Sequence, residues 1–538
     1  MSSTSGIWLI MSGAYVGAEL AAEFGNLPPA FLPVGMARLY EYHLTRLGSR
    51  RPVYFTLPES YEITTEDRRR LDELGVTVIP VPDNLQLGEA VTYAVNTIGA
   101  PDQPLRILHG DTLIDDLALD TVDSIALAEN GDGYSWAEAD LAGGHVRALE
   151  TLPAGSERAS GRPVAAGYFA FASSINLVRS ITRARGDFVA GINLYAKERP
   201  LQAQHVENWF DFGHAQTYFR SRRAVTTARS FNTLRLDGRT ARKMSADGDK
   251  MRAEAHWLQQ VPPSIQLFTA RVLDSGESEG LAFYETEYQY IPTLSELFVF
   301  GSLSRPVWTR AIESCGEFLS LCARNEGPDS GKALLRKLAI DKTVSRLEDF
   351  ARSSGFEIDR PLSFAGRPFP SLMGIAKELT GILERSSDRA SAVMHGDFCF
   401  SNILYDSRTC RIKVIDPRGY IDTGVASIHG DRRYDLAKLA HSIIGRYDHI
   451  IAGRYTMSAN EGYRLSINFE RTPQQAWLQR LFNEILLNDS DALRREVHAV
   501  MTGLFLSMIP LHSDRPDRQR AFIANALRLY GMLEEVPA

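Results

Sequence analysis

The chain has 538 residues, of which 44% are hydrophobic and 23% are charged, and its formal net charge at pH 7 is −7. This length is too great for one hydrophobic core and predicts two to four domains. The acidic balance, with a pI of about 6.0, shows no basic stripe of the kind that nucleic-acid-binding domains carry. We therefore expect no nucleic-acid partner.

No apolar run reaches the ~20 residues of a membrane-spanning helix. The short apolar run at 6–11 has no basic residue before it, unlike a secretory signal. The four cysteines form no CxxC pair and no cluster with histidine at metal-ligand spacing, which is typical of a reducing compartment without structural disulfides or zinc. We expect no membrane insertion and a cytoplasmic location.

The first two hundred residues alternate short apolar runs with helical patterns. Such alternation is typical of an α/β domain with a mainly parallel sheet. Ligands of these sheets bind at the carboxyl ends of the strands, where Asp111 follows a buried run. The predicted elements are the strands Ile7–Met11, Pro52–Leu57, Val76–Val81 and Leu105–Leu108 and the helices Leu39–Leu47 and Gly88–Ile98.

A different order of elements begins near residue 225. Asp237-Gly238 between two β-prone runs predicts a hairpin, and the following residues read as largely helical with a few short strands. A small sheet, one helix and then a helical lobe indicate a two-lobed α+β fold of the protein-kinase kind. The predicted elements are the helix Lys250–Gln260 and the strands Ser230–Leu236, Thr240–Ser245, Leu281–Tyr290, Ile403–Tyr405 and Lys413–Ile415.

The change in character predicts a domain boundary within residues 221–229, although no Gly/Pro-rich linker marks it. The predicted domains are 1–224 and 225–538. Within the second, we expect a small lobe at about 225–292 and a helical lobe at about 293–538.

The most specific motif is HGDFCFSN at residues 395–402, followed by IKVID at 412–416. Phosphoryl transfer needs a carboxylate beside the attacking hydroxyl and metal ligands that offset the charge of the phosphates. An aspartate and an asparagine five residues apart on one loop supply a base and a ligand. The aspartate after the next hairpin supplies the main magnesium ligand.

These residues resemble the aminoglycoside phosphotransferase and choline kinase group. The resemblance implies Mg²⁺ and ATP as cofactors, with Asp397 as the catalytic base and Asn402 and Asp416 as magnesium ligands. His395 would brace the loop, and we interpret Asp435, in a later acidic segment, as a structural anchor that caps a helix. Because Pro-Arg-Gly replaces Phe-Gly after the metal aspartate, a small-molecule kinase is favoured over a protein kinase.

The small lobe resembles the same group less specifically. Its lysine would hold the α- and β-phosphates of ATP, and its glutamate would pair with that lysine. The segment 287–292 resembles the hinge that binds adenine through its backbone. The loop 229–232 stands where a phosphate loop is expected but lacks glycines. The predicted ATP-binding residues are Lys243, Glu254, Ser230, Asn232, Glu287 and Tyr288.

Residues 6–222 resemble sugar-phosphate nucleotidyltransferases in five segments that occur in the expected order: LPPAFLPVG at 27–35, LGEA at 87–90, GD at 110–111, AGYFA at 166–170 and WFDFG at 209–213. The resemblance implies a domain that binds CTP or another NTP, with Asp111 and Asp211 as metal ligands. The residues that would contact the nucleotide are Gly13, Gly17, Gly88 and Glu89.

Two departures concern the cations that usually neutralise phosphate charge in that family. The arginine position falls near Glu19 and the lysine position at Pro29. Their loss removes electrostatic stabilisation of the kind that usually dominates such steps. Arg38 or the pair at 50–51 could substitute, the alternative being that these are ordinary surface residues.

The leading hypothesis is a bifunctional enzyme. Its kinase would phosphorylate a hydroxyl of a sugar, polyol or amino alcohol, and its N-terminal domain would attach a nucleotide to the product for capsule or lipopolysaccharide synthesis. The first alternative is a kinase whose N-terminal domain only binds a nucleotide-sugar or a nucleotide-linked acceptor. The second is a non-enzymatic scaffold of two pseudo-enzymes.

The acceptor pocket is expected within residues 420–530. The arginines Arg418, Arg432 and Arg433 favour a sugar or an anionic acceptor over choline. The sequence determines neither the acceptor, the preferred NTP nor the oligomeric state.

Overall fold

The computed structural model describes residues 6–129, 134, 136–151, 162–227, 233–422, 424–460 and 463–536. The chain divides into two compact units, Met1–Val225 with Phe300–Ser302, and Thr226–Val299 with Leu303–Ala538. Within the described ranges, no helix is long and apolar enough to cross a membrane.

The first unit is an α/β domain. Its strands are β1 (Ile7–Met11), β2 (Val53–Pro58), β3 (Val76–Val81), β4 (Leu105–His109), β5 (Thr112–Ile114), β6 (Ser124–Ala128), β7 (Ala137–Ala142), β8 (His145–Thr151), β9 (Val164–Phe171), β10 (Leu201–His205) and β11 (Trp209–Asp211). Its helices are α1 (Ala18–Phe24), α2 (Leu39–Leu47), α3 (Thr65–Glu73), α4 (Leu87–Ile98), α5 (Ser174–Arg183), α6 (Phe188–Glu198) and α7 (Ala215–Thr227), with a 3₁₀ turn at Pro29–Phe31. The six elements predicted up to residue 108 are all present.

Nine strands form one sheet in the order β3-β2-β1-β4-β9-β6-β10-β8-β7. The first four strands in this order pair in parallel, as do β6 and β10, whereas the other neighbours pair antiparallel. The first four strands are the apolar runs that the sequence predicted, because strands of a sheet that helices cover on both faces are largely apolar.

Helices cover both faces of this sheet. Along β1, Leu9 packs against the core beneath α4, α5 and α6, whereas Trp8 and Ile10 pack beneath α2 and α3, as the alternation of side chains along a strand requires. The carboxyl ends of β1 and β4 lie side by side, since the Gly110 N–H donates to the Met11 carbonyl at 2.8 Å. This edge carries the residues predicted to bind metal and nucleotide.

Gly88, in the first turn of α4, packs against the turn between α5 and α6. A Cβ at this position would lie 2.3 Å from the Gly186 carbonyl oxygen and 3.0 Å from Ile181 Cγ2. A Cβ added to Gly17, which precedes α1, would have no atom within 4 Å among the residues compared. The structure thus gives the first glycine a packing role that the second lacks.

We expect Gly88→Ala to destabilise the first unit by about 1–3 kcal/mol, because the added methyl group meets backbone that cannot easily move. Gly17→Ala is the matched control and should change stability little. Calorimetric unfolding of the whole chain would measure both. Equal unfolding temperatures for the two variants would contradict the packing role.

The second unit contains a small sheet and a helical lobe. Its strands are β12 (Thr233–Leu236), β13 (Thr240–Ser245), β14 (Val272–Ser278), β15 (Leu281–Glu287), β16 (Glu326–Ser330), β17 (Leu362–Phe364), β18 (Arg367–Phe369), β19 (Ala390–Val393), β20 (Ile403–Asp406), β21 (Arg411–Val414), β22 (His429–Gly430), β23 (Thr456–Asn460) and β24 (Arg464–Asn468). Its α-helices are α8 (Gly248–Gln260), α9 (Pro263–Gln266), α10 (Leu294–Phe300), α11 (Arg305–Ala323), α12 (Gly331–Leu335), α13 (Lys342–Ser354), α14 (Leu372–Arg385), α15 (Arg432–Ile443), α16 (Tyr447–Ile451), α17 (Pro473–Leu487), α18 (Asp491–Met508) and α19 (Pro516–Glu534). A π-helical segment (Arg336–Asp341) precedes α13, and 3₁₀ turns lie at Phe400–Asn402 and Ile509–His512.

The small sheet is antiparallel, with the order β12-β13-β15-β14. The predicted hairpin, the helix α8 and the strands β15, β20 and β21 are present, and the fold class predicted for both parts of the chain is confirmed. The remainder is less helical than predicted. Besides β14, it contains the short strands of two further sheets, β16-β19-β22 and β18-β17-β24-β23. Strands of two to five residues are too short for a clear alternation.

Candidate functional site

The loop of the HGD motif follows β19, and the buried side chain of Asp435 binds its backbone. The Asp435 carboxylate accepts hydrogen bonds from the backbone N–H groups of His395 at 2.7 Å and Gly396 at 2.8 Å. Burial raises the pKa of Asp435 to about 7, although both hydrogen bonds oppose the rise. The predicted anchor is therefore present, but the cap of α15 is Asp431, so the helix-cap part of that prediction is wrong.

Two features of this loop need particular residues. Gly396 has a φ of +78°, and a Cβ there would lie 2.7 Å from Arg418 Cβ, so only glycine fits without strain. The His395 ring is buried between Trp257 and Phe398, and burial lowers its pKa to about 4. A neutral ring packed among aromatic rings is consistent with a bracing role.

Asp397 lies between an amide and an ammonium group. Its Oδ2 accepts from Asn402 Nδ2 at 2.9 Å, and its Oδ1 lies 2.8 Å from Lys438 Nζ. Burial acts to raise the pKa of Asp397, but the charge and hydrogen bond of Lys438, together with the charges of Arg418 and His395, outweigh it and hold the pKa well below the usual range. The side chain remains 39% exposed, so an acceptor hydroxyl can reach the carboxylate.

Lys438 is a site residue that the sequence reasoning missed. It follows Asp435 by three residues on α15, which places both on one helix face toward the loop. That spacing within the acidic segment was the available signal.

A second charged group joins the small sheet to the hairpin β20–β21. Lys243 Nζ lies 2.7 Å from Glu254 Oε2 and 3.0 Å from Asp416 Oδ1. Burial lowers the pKa of Lys243, but the two carboxylates outweigh this and raise it above its usual value. The structure thus brings together the three residues predicted to serve ATP and metal.

Tyr284 completes this group and was not predicted. Its hydroxyl lies 2.9 Å from Glu254 Oε2 and 3.1 Å from Asp416 Oδ1. Tyr284 lies directly opposite Lys243 in the pairing of β13 with β15. Only this register, and no pattern near Tyr284 in the chain, reveals the contact.

Asn402 and Asp416 fit a magnesium ion. Asn402 commits its amide nitrogen to Asp397, so its amide oxygen is the atom that would bind a cation, and Asp416 would supply a carboxylate. Mg²⁺ is typically bound by one or two carboxylates together with substrate phosphates. The part of the chain that the structure describes holds no cluster of three or more His, Cys, Asp or Glu side chains suited to a metal, and such a site does not require one.

The backbone N–H groups of Glu287 and Tyr288, in the segment predicted to bind adenine, already have hydrogen-bond partners. The Glu287 N–H donates to the Arg271 carbonyl at 3.1 Å, and the Tyr288 N–H donates to the Arg239 carbonyl at 2.8 Å. Both donors are used within the small lobe, so adenine would need other backbone groups of the segment 287–292. Ser230 and Asn232, with their loop 229–232, lie outside the described residues.

In the first unit, Asp111 and Asp211 are brought to one place by the pairing of β5 with β11, which sets Thr112 opposite Asp211. The Phe212 N–H donates to the Asp111 carbonyl at 2.8 Å. A Cβ on Gly213 would lie 2.8 Å from Asp111 Oδ2 and 3.4 Å from Asp211 Oδ1. Both carboxylates therefore border the same small space.

The proximity of these carboxylates has an electrostatic cost. Burial, and then the Asp111 charge, raise the pKa of Asp211 to about 7, against hydrogen bonds from Thr217 and Gly213. A divalent cation bound to both carboxylates would relieve the repulsion. The residues thus fit the predicted metal.

The four predicted nucleotide contacts have structural roles of their own or none. Glu89 Oε2 accepts from the Gln86 N–H at 2.9 Å and caps α4, where Gly88 packs as described above. A Cβ on Gly13 would lie 2.5 Å from Val81 Cγ2. Gly17 precedes α1 without steric need for glycine.

The proposed substitutes for the missing cations are committed elsewhere. Arg38 is buried, not on the surface as predicted, and pairs with Asp67 at 2.9 Å. Arg50 faces Asp120, and Arg51 donates to backbone carbonyls, including that of Gly48. None of these arginines replaces the cations lost at Glu19 and Pro29.

No protein-family model matches the chain, and no curated protein matches it significantly. Solved structures that resemble it fall into two groups. For the N-terminal part, a Bacillus anthracis protein assigned as a glucose-1-phosphate thymidylyltransferase is 14% identical, with 42% of this chain and 97% of that chain covered and a TM-score of 0.35. The UTP-bound UGPase of Acinetobacter baumannii is 13% identical, with 42% and 95% covered and a TM-score of 0.32.

For the C-terminal part, a thermostable mutant of the aminoglycoside phosphotransferase APH(4)-Ia, with ADP and hygromycin B, is 16% identical. This match covers 56% of the chain and 89% of that chain, with a TM-score of 0.36. All these likenesses are remote, so the function proposed below is argued from the chain's own residues.

The raised pKa of Asp211 predicts a pH-dependent stability. Its folded pKa of about 7 exceeds the ~3.9 of an unfolded chain, so its stabilising contribution is complete at low pH and lost as pH rises through 7. We expect Asp211→Asn to increase the free energy of unfolding at pH 8, in EDTA, by up to about 4 kcal/mol, and by less at pH 5.

Thermal unfolding of the first unit at the two pH values measures this effect. Asp72→Asn, an exposed position on α3, serves as the control and should have no pH-dependent effect. A loss of stability in Asp211→Asn at pH 8 would contradict the repulsion.

Proposed function

We propose that the second unit is an ATP- and Mg²⁺-dependent kinase that phosphorylates a hydroxyl group of a small molecule. The observation that carries this proposal is the convergence of Asp397, Asn402, Asp416, Lys243 and Glu254, from the loop, the hairpin, β13 and α8, with the distances given above. A base, cation ligands and a phosphate-binding lysine are the parts that phosphoryl transfer requires.

The reaction assigns each group a task. The acceptor oxygen would attack the γ-phosphorus of ATP as the bond to the β-phosphate oxygen breaks, releasing ADP. Asp397 would orient the hydroxyl and receive its proton as the new bond forms, with Lys438 stabilising the carboxylate before that. Lys243, held by Glu254, would bind the α- and β-phosphates. Bound Mg²⁺ at Asn402 and Asp416 would offset the phosphate charge.

Substitution of the two aspartates should have different effects. We expect Asp397→Asn to lower turnover by about 10²–10⁴-fold, the contribution of a positioned base, with MgATP affinity nearly intact. Asp416→Ala should lose both MgATP binding and turnover, because a cation ligand is removed.

Calorimetric MgATP titration and ADP formation with sugars, polyols, amino alcohols and nucleotide-linked sugars would measure both effects. Asp359→Asn, at an exposed position, is the control. Wild-type turnover in Asp397→Asn would refute the role given to that residue.

The Asp111–Asp211 pair favours a second function for the first unit. We propose that it binds a divalent cation with CTP or another NTP. In the leading form of the proposal, it transfers the nucleotide to the kinase product, and the whole chain makes an activated precursor for capsule or lipopolysaccharide. In the alternative, supported by the lost cations at Glu19 and Pro29, it only binds a nucleotide-linked molecule.

Pyrophosphate release separates these two forms. We expect wild-type protein, given an NTP and the kinase product, to release pyrophosphate, and Asp111→Ala to abolish release while its kinase turnover is unchanged. Nucleotide binding is measured in an Asp416→Ala background, which removes the kinase nucleotide site, and Asp72→Ala is the control. Nucleotide binding without pyrophosphate release would favour the binding-only form.

A further inference from the structure

Two cationic side chains of α13, Lys342 and Arg346, contribute positive charge to the region of the HGD loop. Lys342 and Arg346 lie four residues apart on α13, on one helix face. The π-helical segment Arg336–Asp341 directly precedes them, and such segments are rare and frequent at functional sites. Arg346 Nη1 donates to Ser507 Oγ at 2.8 Å and to the Ser507 carbonyl at 3.2 Å, which fixes it against α18.

A third cation, Arg418, lies beside the HGD loop itself. The Arg418 N–H donates to the His395 carbonyl at 2.8 Å, which ties this residue to the catalytic loop. Its guanidinium carbon lies 5.5 Å from the Tyr434 ring centroid and 5.8 Å from that of Tyr420. Arg418 Nη1 is buried and has no hydrogen-bond partner among the described residues. A buried donor of this kind is costly unless a ligand satisfies it.

The positive charge here is compensated only in part, chiefly by Asp397. In the described part of the chain, no carboxylate forms an ion pair with Lys342, Arg346 or Arg418, and Lys438 is opposed only by Asp397. By contrast, the more exposed Lys337 pairs with Asp422 at 2.6 Å.

The neighbouring positive charges affect the pKa of Lys342. Burial, and then the charges of Arg418, Arg346 and Lys438, lower the pKa of Lys342 to about 7, with Asp397 acting in the opposite direction. Two of these charges, those of Lys438 and Arg418, also act on Asp397, beside which the acceptor hydroxyl must sit.

We infer that the acceptor of this kinase is an anion, a molecule that carries a phosphate or carboxylate near its reacting hydroxyl, and that Lys342, Arg346 and Arg418 bind this group. The inference rests on the kinase function proposed above. Lys243 already serves the phosphates of ATP, whereas α13 packs against α18 in the helical lobe. A polycationic or quaternary-ammonium acceptor would meet repulsion here.

The other arginines suggested by the sequence do not serve this purpose equally. Arg433 is fully buried and pairs with Asp431 and with Glu496 at 3.2 Å. It stabilises the start of α15 and cannot receive a ligand. The specificity of the site therefore depends on α13, which the sequence did not indicate.

The test compares matched acceptors: neutral sugars and polyols, the corresponding amino sugars, their monophosphates, and the corresponding aldonic or uronic acids. ADP formation is measured with the full chain and MgATP. We expect turnover with anionic members and little with neutral or amino counterparts. Lys342→Met and Arg346→Met should each raise the acceptor KM by about 10–100-fold, the range of a charged hydrogen bond, and leave the ATP KM within about twofold.

Lys377→Met, an exposed lysine on α14, is the matched control, and Lys342→Arg should recover most of the acceptor affinity. MgATP titration verifies that each variant is folded. Binding of MgATP with turnover of neutral or amino acceptors alone would overturn this inference and leave the kinase proposal standing. An equal rise of the ATP KM would assign the cations to ATP instead. Absence of MgATP binding and of any transfer would overturn both.

Discussion

The catalytic loop depends on one buried carboxylate, that of Asp435, which accepts the backbone N–H groups of His395 and Gly396. Backbone donors at a sharp turn have no partner in a sheet or helix, and leaving two of them buried and unpaired would cost several kcal/mol. The same interaction fixes the direction in which the following residue, Asp397, leaves the loop. Asp435 lies on α15. The same helix also brings Lys438 to the carboxylate of Asp397.

Charge in the second unit is divided between two regions. Around Lys243, one ammonium group lies beside two carboxylates, those of Glu254 and Asp416, so this region has no excess of positive charge. Around Asp397, cations exceed carboxylates. This asymmetry is the physical basis for assigning the nucleotide to the first region and an anionic acceptor to the second. An excess of positive charge also attracts a negatively charged substrate from solution, which increases the rate of encounter.

In the first unit, the candidate site has two neighbouring carboxylates, those of Asp111 and Asp211. Asp111 and Asp211 lie close enough to raise the pKa of Asp211, while Arg38 is committed to Asp67 in the interior. A pair of carboxylates that destabilises the folded unit at neutral pH is hard to explain by packing, and stability is often lower where residues serve binding. Glu19 and Pro29 stand where the sequence resemblance leads us to expect cations, so the proposed binding and the proposed transfer are separate questions for this unit.

The sequence by itself determined the parallel strands, the hairpin of the small lobe, and the residues Asp397, Asn402 and Asp416, because these depend on local patterns and on spacings within some twenty residues. It also predicted roles for Lys243, Glu254, Asp111 and Asp211, and the structure places Lys243 beside Glu254 and Asp111 beside Asp211. Only the tertiary structure showed that Tyr284 contacts Asp416, that Lys438 contacts Asp397 and that Arg38 is buried. It alone pointed to Lys342 and Arg346. Those contacts join residues far apart in the chain, through strand register and helix packing, and no short-range pattern encodes them.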